Sequence, residues 1–423
     1  MKKKNSYGLY FLILVPFVLY LIDTNSSIAV KRKKQGAFAL GLEQVSTDLL
    51  DRVWPGCKFF RIGLITNQTG KNLCGERNVD LLLKKGFCIK KLFTPEHGMR
   101  GVIHTDESIA NSVDKATNVP IVTLYSQGRP IKINAKMLQD IDVLMFDIQE
   151  VGMRHYTYIT TLFEAMEVAQ RYNKKFIVLD RPSLLGPCMD GPLVEPGFKS
   201  GISIASIPLR HGMTVGELAL YFNRYIFKKP LELHIVAMQN YKRNCLMRNQ
   251  LITYLSSGIR NLQSCYGYSF LGLLGEIRPF CIGLKKEKKF QAIMLSDKIM
   301  FSMQKWKELQ TILNSFGIAS SFYRKNGKKT SFSGLQLLIE NAYNLESFKL
   351  LVRILAFFKA SGLKMSFSKA FNIAVGTDKL RAFFDGAITY NTFKKFVNNG
   401  LRTFHKKAQN CFLYDPFPVV KCL

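Results

Sequence analysis

The sequence lacks several motifs that would define a function on their own. Its six histidines show no H-E-x-x-H or similar spacing, so the sequence predicts no metal site. No G-x-G-x-x-G follows the first predicted strand, which argues against a dinucleotide. No G-x-S-x-G elbow is present, which argues against serine hydrolase chemistry. We therefore expect neither a cofactor nor a metal.

The spacing of the cysteines matches no disulfide or metal-binding motif. The nine cysteines contain no C-x-x-C pair, and their odd number leaves at least one unpaired. No disulfide framework is predicted, and most of these residues are expected to be small, buried apolar side chains. No cysteine lies directly after the apolar N-terminal run at residues 7–22, which argues against a lipid-anchored lipoprotein.

Acidic residues are scarce relative to basic ones. The 423 residues include 60 Lys and Arg against 30 Asp and Glu, a formal net charge of +30. A basic surface attracts nucleic acid, anionic lipid or an anionic polymer, although the lysines are scattered and could reflect a general bias. Since no arginine-rich arm, RNP-like motif or zinc-finger spacing is present, we expect no nucleic-acid partner.

The N-terminus resembles a targeting segment. Three lysines at residues 2–4 precede an apolar run at residues 7–22, and Ser27-Ile28-Ala29 has the small-x-small form of a cleavage site. Residues 1–35 are predicted to be a secretory signal or, alternatively, an uncleaved anchor in contact with the membrane. In both cases the rest of the protein is predicted to be extracytoplasmic, either periplasmic or secreted.

Predicted strands alternate with predicted helices over the first half. Short apolar runs mark strands, and amphipathic runs mark helices at residues 79–85 and 157–171. Such alternation is typical of βαβ units and a parallel sheet. The predicted fold is α/β, with a Rossmann-like parallel-sheet domain at residues 36–228 and a smaller α+β domain at residues 229–423. The strand runs are at residues 59–66, 87–93, 121–124, 141–148, 175–179 and 231–238, with helices also predicted at 41–53, 334–340, 345–360 and 366–380.

Four of the predicted strands end in polar turns, NQTG, TPEHG, DIQEVGMR and DRP. Carboxyl ends of parallel strands share one edge of a sheet, where open α/β folds bind ligands. Paired carboxylates suit glycoside hydrolysis, and arginines suggest a ligand with a negative group. This edge offers the carboxylates Glu96, Asp147, Glu150 and Asp180, the cations Arg100, Arg154, Arg181 and Arg210, and the aromatic side chains of Tyr156 and Tyr158.

Structural roles compete with chemistry at several of these positions. Asp147 and Asp180 could each accept N–H bonds from the turn that follows, and Arg154 or Arg181 could pair with them. Glu217 lies three residues after Thr214, so it is predicted to form a capping box rather than to act on a substrate. The neighbouring His211 has no comparable structural explanation.

Five ordered motifs, TNQTG, FTPEHGMRG, DIQEVGMRHYTYI, DRP and PLRHGMTVGELA, resemble the DUF1343 family of NamZ-type exo-β-N-acetylmuramidases. The resemblance covers about residue 41 to residue 221. It implies a two-domain protein with its active site in a cleft between the domains. It also implies release of N-acetylmuramic acid from the non-reducing end of peptidoglycan-derived glycan. The lactyl carboxylate of that sugar fits the arginines at the predicted edge.

The resemblance also assigns residues. The proposed catalytic acid of the family falls on Glu96, and Asp147 or Glu150 would be the second carboxylate or a sugar ligand. Arg154 and Arg210 would hold the lactyl group. At Glu150 the family more often has aspartate. The remaining predicted substrate-binding residues are Asn67, His97, Arg100, Gln149, Tyr156, Tyr158, Asp180, Arg181 and His211.

The C-terminal half departs from the family pattern. Ser257-Gly258-Ile259 stands where the family has a Pro-Asn turn, and a Gly-Arg-Gly-Thr stretch is missing. If this half closes the sugar pocket, the substrate could differ. The alternative functions are a catalytically degenerate protein that binds peptidoglycan or the envelope and, less favoured, a hydrolase with a non-sugar substrate.

Overall fold

The computed structural model describes residues 36–56, 59–102, 110–127, 129–244, 254–283, 288–326 and 330–423. The predicted signal or anchor at residues 1–35 lies outside these residues. Within the described part of the chain, no helix is both long and apolar enough to cross a membrane.

The strands are short, and most of the long ones are buried. They are β1 Arg61–Thr66, β2 Cys88–Thr94, β3 Ser112–Val113, β4 Pro120–Thr123, β5 Tyr125–Ser126, β6 Arg129–Pro130, β7 Val143–Asp147, β8 Lys175–Leu179, β9 Cys188–Met189, β10 Leu233–Val236, β11 Ile277–Arg278, β12 Ala292–Ser296, β13 Ala319–Lys325, β14 Phe332–Leu338, β15 Ser366–Phe367 and β16 Val419–Val420.

The helices often begin at a side-chain cap. Ser46, Thr214 and Ser302, for example, each accept a backbone N–H three residues on, which satisfies a donor of the first turn. The helices are α1 Gly41–Gln44, α2 Thr47–Val53, α3 Asn78–Lys84, α4 Tyr158–Arg171, α5 Val215–Tyr221, α6 Leu262–Leu274, α7 Met303–Ser315, α8 Ser347–Ala360, α9 Lys369–Val375, α10 Lys379–Phe384 and α11 Tyr390–Ala408.

The main sheet is parallel except at one edge. Among the described residues it has seven strands in the order β10-β8-β7-β1-β2-β4-β3, and only β3 runs antiparallel to its neighbour. The chain builds outward from β1 through β2 to β4, and then crosses to the other side of β1 to form β7, β8 and β10. The order therefore reverses between β1 and β7, the place where open α/β sheets bind ligands.

Alternate side chains of each central strand pack on opposite faces of the sheet. On β7, Met145 packs against the face that carries Leu42 and Leu82, from α1 and α3. Phe146 packs into a second cluster that contains Leu162 of α4. Both faces of the sheet are therefore buried, as the apolar strands predict.

The C-terminal region packs on the α4 face. It consists of helices α6–α11 and small sheets, of which the three-stranded antiparallel sheet β12-β14-β13 is the largest in the described residues. Its helices belong to the same hydrophobic cluster as α4, and Ala37–Leu423 form one compact unit. Strand β10 lies past residue 228 yet belongs to the parallel sheet, and the division at residues 228 and 229 stays a prediction.

The predicted α/β architecture is confirmed, with local corrections. The predicted helix at residues 334–340 is wrong, because this segment is β14, paired with β12 and β13. The side chains of Leu335 and Leu337 are buried, whereas that of Leu338 is 49% exposed. Burial at every second residue is the pattern of a strand. The helix predicted at residues 41–53 is divided into α1 and α2 at Val45 and Ser46.

Candidate active site

The turns that follow β1, β2, β7 and β8 lie along one edge of the sheet. These strands are parallel, with Thr66 of β1 opposite Asp147 of β7 and Ile65 opposite Phe93 of β2. Neighbouring strands lie about 4.8 Å apart, so the four turns form a continuous polar rim. The sequence-based prediction that these turns converge is confirmed.

Glu96 lies at the centre of this rim, directly after β2. Its side chain is buried, with 7% exposed, and its Oε2 accepts a hydrogen bond of 2.6 Å from the hydroxyl of Thr157 at the start of α4. The next residue, His97, has φ of 71°, an uncommon conformation for a residue with a side chain. Its Nδ1 lies 3.5 Å from the hydroxyl of Ser257. The turn is thus held in a strained form beside the carboxyl group.

Glu96 opens onto a cavity of about 270 Å³ that runs along α4. Tyr125, Thr157 and Glu164 line it, together with Gly201 from the long loop at residues 190–214, between β9 and α5. Burial raises the pKa of Tyr125 to about 12, and the negative charge of Glu96 adds to that rise. The cavity therefore places the carboxyl group against space that a ligand can enter.

A C-terminal loop closes part of the rim. The backbone carbonyl of Leu255 accepts hydrogen bonds from Gln68 Nε2 at 2.8 Å, from the Tyr156 hydroxyl at 3.1 Å and from the Tyr158 hydroxyl at 3.5 Å. Burial raises the pKa of both tyrosines, and both rings are buried. These tyrosines hold the segment that departs from the family pattern, and the cavity beside Glu96 stays open.

Asp147 is committed to an ion pair. Its Oδ1 accepts from Arg181 Nε at 2.6 Å, and its Oδ2 accepts from Arg181 Nη2 at 2.9 Å and from Asn78 Nδ2 at 2.7 Å. Asn78 also donates to Thr66, so α3 and β1 are joined to the same carboxylate. Both Asp147 and Arg181 are almost fully buried. The predicted structural alternative, in which Arg181 pairs with the aspartate, therefore describes the contacts of Asp147.

Glu150 forms a second buried pair, with His211. Glu150 Oε2 accepts the Gly152 N–H at 2.7 Å and lies 3.3 Å from His211 Nε2. The other imidazole nitrogen, Nδ1, accepts the Met213 N–H, so Nε2 carries the proton that faces the carboxylate. The remaining oxygen, Oε1, is buried without a hydrogen-bond partner among the described residues. Glu150 thus keeps one uncommitted oxygen, which Asp147 does not.

Arg154 is fully buried and bonded to backbone. Its Nη1 donates to the carbonyls of Pro192 and Ile207 at 2.8 Å, and its Nη2 donates to those of Ala374 and Val375 at 2.9 and 2.7 Å. The last two are at the C-terminal end of α9, where a cation is favourable. Burial lowers the pKa of Arg154 to about 9. The guanidinium joins the long loop to the C-terminal region and does not reach the cavity.

Arg210 has a similar environment. Its guanidinium is 1% exposed and donates to the carbonyls of Leu345 at 2.6 Å, of Ala342 at 2.7 Å and of Leu185, and to the Ser347 hydroxyl at 3.2 Å. Burial lowers its pKa. Neither Arg154 nor Arg210 is placed to contact a ligand in the cavity beside Glu96.

Asp180 joins β8 to α5. Its oxygens accept from the Gly216 N–H at 2.8 Å, the Thr214 hydroxyl at 2.8 Å and the Tyr414 hydroxyl at 2.7 Å. Burial and the nearby Glu217 raise the pKa of Asp180 to about 6. Glu217 forms the predicted capping box with Thr214. The structural role predicted for Asp180 is seen in its Oδ1, which accepts the N–H of Arg181 in the following turn at 2.9 Å, and the bonds to α5 and Tyr414 add to it.

The other predicted site residues differ in burial. Asn67 and Gln149 are buried at the rim, each with one amide atom that has no partner among the described residues. Arg100 is exposed, and it lines a second cavity, of about 750 Å³, that Asn67 also lines. The structure thus gathers Glu96, His97 and the two tyrosines at the rim and places Arg154 and Arg210 away from it.

Sequence reasoning missed several residues of the rim. Thr157 contacts Glu96 directly, and it lies between the predicted site residues Tyr156 and Tyr158. Asn78 donates to Asp147 from α3, a helix with no recognisable motif, and Gln68 lies beside Asn67 in the NQTG turn and donates to Leu255. Among the described residues no group of three or more histidine, cysteine or acidic side chains is placed to hold a metal ion.

Comparisons with known proteins identify the family. Residues 62–261 match the N-terminal part of the exo-β-N-acetylmuramidase NamZ family. The peptidoglycan β-N-acetylmuramidase NamZ of Bacillus subtilis (strain 168) is 32% identical over 351 residues, which cover 80% of this chain and 82% of that relative.

Solved structures agree. A DUF1343 family protein of Bacteroides fragilis NCTC 9343 superposes with a TM-score of 0.74 at 28% identity, covering 89% of this chain and 99% of that one. A second protein of that family and strain, at 24% identity and a TM-score of 0.67, covers 90% of this chain and 99% of its own and supports the fold. The chain therefore belongs to the NamZ family of exo-β-N-acetylmuramidases, also described as DUF1343.

Proposed function

We propose that this protein is an extracytoplasmic exo-β-N-acetylmuramidase that releases N-acetylmuramic acid from the non-reducing end of peptidoglycan fragments. The observation that carries the proposal is the position of Glu96, a buried carboxyl group at the strand-end rim that opens onto a cavity. The name of the Bacillus relative supports the substrate. The apolar N-terminal run supports the location outside the cytoplasm, where peptidoglycan lies.

Glu96 acts as the general acid in this proposal. Its carboxyl proton passes to the glycosidic oxygen as the bond from that oxygen to C1 of the muramic sugar breaks. A water molecule then supplies hydroxide to C1, and its second proton restores the carboxyl group. The Thr157 hydroxyl, 2.6 Å from Oε2, fixes the orientation of the carboxyl group during this transfer.

Between Asp147 and Glu150, neither of which lines the cavity beside Glu96, we take Glu150 as the candidate for the second carboxylate. Asp147 has both oxygens bonded to Arg181 and Asn78, whereas Glu150 keeps Oε1 without a partner among the described residues. The substitution Glu150→Gln preserves an acceptor for the Gly152 N–H, so it should lower kcat without unfolding the protein. Asp147→Asn should mainly destabilise the fold.

The alternative is a catalytically degenerate protein that binds peptidoglycan or the envelope and keeps the pocket. The divergent C-terminal loop contacts the rim through Leu255 and Ser257 but leaves a cavity of about 270 Å³ beside Glu96. This open space admits a ligand under both alternatives, so release of the sugar distinguishes the enzyme from the binding protein.

The test is hydrolysis of chromogenic β-glycosides of N-acetylmuramic acid and of N-acetylglucosamine. We expect release from the muramic substrate only, and loss of at least about a hundredfold in kcat for Glu96→Gln, the lower range for a general acid. Muramic acid binding without release by the wild type would instead support the binding protein.

A further inference from the structure

The second cavity has no role in the chemistry assigned to Glu96. It has a volume of about 750 Å³ and lies at the carboxyl ends of β1 and β2, on the face that carries α3. The arginines that were expected to hold the lactyl group, Arg154 and Arg210, bond to backbone carbonyls instead. An anionic substituent of the substrate therefore needs a different partner.

The lining of this cavity is cationic. Lys71, Arg77, Arg100 and Lys115 contribute positive charges, and Asp114 contributes the only carboxylate among the described lining residues. Asp114 accepts from Arg77 at 2.8 Å, so these two charges neutralise each other. Lys71, Arg100 and Lys115 are exposed, and none of them has an ion-pair partner among the described residues.

Two buried polar atoms in this lining also lack partners. Asn67 is 2% exposed and Thr94 is 1% exposed, and both line the cavity. Asn67 Nδ2 and Thr94 Oγ1 have no hydrogen-bond partner among the described residues. A buried donor without an acceptor is costly, by about 1–3 kcal/mol, so such atoms mark places where a ligand can bind.

The two cavities lie on opposite faces of the sheet, and both reach the carboxyl end of β2, beyond which the sheet no longer separates its faces. Thr94 lines the second cavity, Glu96 lines the cavity along α4, and Pro95 lies between them. Two extended residues span at most about 7 Å, so a sugar whose C1 lies at Glu96 can direct its C3 substituent toward Thr94. The lactyl ether of N-acetylmuramic acid is carried on C3.

We infer that this cavity is the subsite for the lactyl carboxylate of the muramic sugar, bound by Lys71 and Arg100 together with the buried polar atoms of Asn67 and Thr94. This inference rests on the proposed function. Arg100 presents a planar fork that suits a carboxylate, and Lys71 adds a point charge from the neighbouring turn. The subsite distinguishes muramic acid from N-acetylglucosamine, which lacks the lactyl group.

The test measures binding rather than turnover. In a Glu96→Gln background, calorimetry would compare free N-acetylmuramic acid with N-acetylglucosamine, before and after adding Lys71→Gln and Arg100→Gln. We expect the double substitution to weaken muramic acid binding by roughly ten- to a hundredfold, the range for hydrogen bonds to charged groups, and to leave N-acetylglucosamine unchanged. The matched control is Arg52→Gln with Lys90→Gln, which removes the same charges from exposed positions outside both cavities.

The outcomes separate the two proposals. Full retention of the preference for muramic acid after Lys71→Gln and Arg100→Gln would overturn the subsite and leave the enzyme assignment intact. Absence of any preference in the Glu96→Gln parent would overturn both. An equal loss in the Arg52 and Lys90 control would show a general charge effect and would also overturn the subsite.

Discussion

Replacing Arg154 with methionine separates a structural arginine from a ligand-binding one. The side chain makes four hydrogen bonds to the carbonyls of Pro192, Ile207, Ala374 and Val375. Methionine fills a similar volume without a donor, so four buried acceptors lose their partner. Each hydrogen bond to a charged group contributes about 1.5–3 kcal/mol to the free energy of unfolding. The substitution also removes the desolvation cost of a buried cation that has no carboxylate partner, which offsets part of this loss. We expect a net loss of about 3–5 kcal/mol in the free energy of unfolding, by analogy with breaking a buried ionic contact.

The assay is urea unfolding of Arg154→Met, followed by the KM of the folded protein for the muramic glycoside. The matched variant is Arg100→Met, whose exposed side chain should change stability by no more than about 0.5 kcal/mol while raising KM. A fully stable Arg154→Met with a raised KM would refute the structural role and restore Arg154 as the lactyl ligand.

Three further substitutions probe the rim. Thr157→Val should lower kcat by about tenfold or more by removing the hydrogen bond to Glu96, and Thr157→Ser should restore it; equal kcat values for the two variants would refute the role. Gly70→Ala should cost about 2–4 kcal/mol in denaturant unfolding, because its Cβ would lie 2.2 Å from Asn78 Nδ2; unchanged stability would contradict this packing. Burial raises the pKa of Asp180 from 3.8 to about 6, so its contribution to stability is present below about pH 4 and is lost as pH rises to about 6. Asp180→Asn should remove that dependence, which is at most about 3 kcal/mol; the same pH profile in both proteins would contradict it.

The sheet and its rim could be predicted from sequence because their signals are local. Apolar runs bounded by polar turns give strands, and a parallel sheet then brings the turns to one edge. The segment at residues 334–340 was predicted wrongly because Leu335, Leu337 and Leu338 fit both a helix and a strand. Pairing with β12, which is distant in sequence, decided between them.

The roles of Arg154 and Arg210 could not be predicted, because their partners are also distant in sequence. Arg154 and Arg210 belong to motifs beside catalytic candidates, and composition alone suggests a ligand carboxylate. Their acceptors are backbone carbonyls of the C-terminal region, such as Val375 and Leu345, which no side-chain pattern reveals. The ion pair of Asp147 with Arg181 could be anticipated, since Asp147 ends β7 and Arg181 follows the neighbouring strand β8.

The most direct measurement is product analysis on two defined glycans, one with N-acetylmuramic acid and one with N-acetylglucosamine at the non-reducing end. The account predicts that free N-acetylmuramic acid is released from the first glycan, that nothing is released from the second, and that Glu96→Gln releases nothing from either. Internal cleavage of both glycans, or unchanged release by the Glu96→Gln variant, would contradict it.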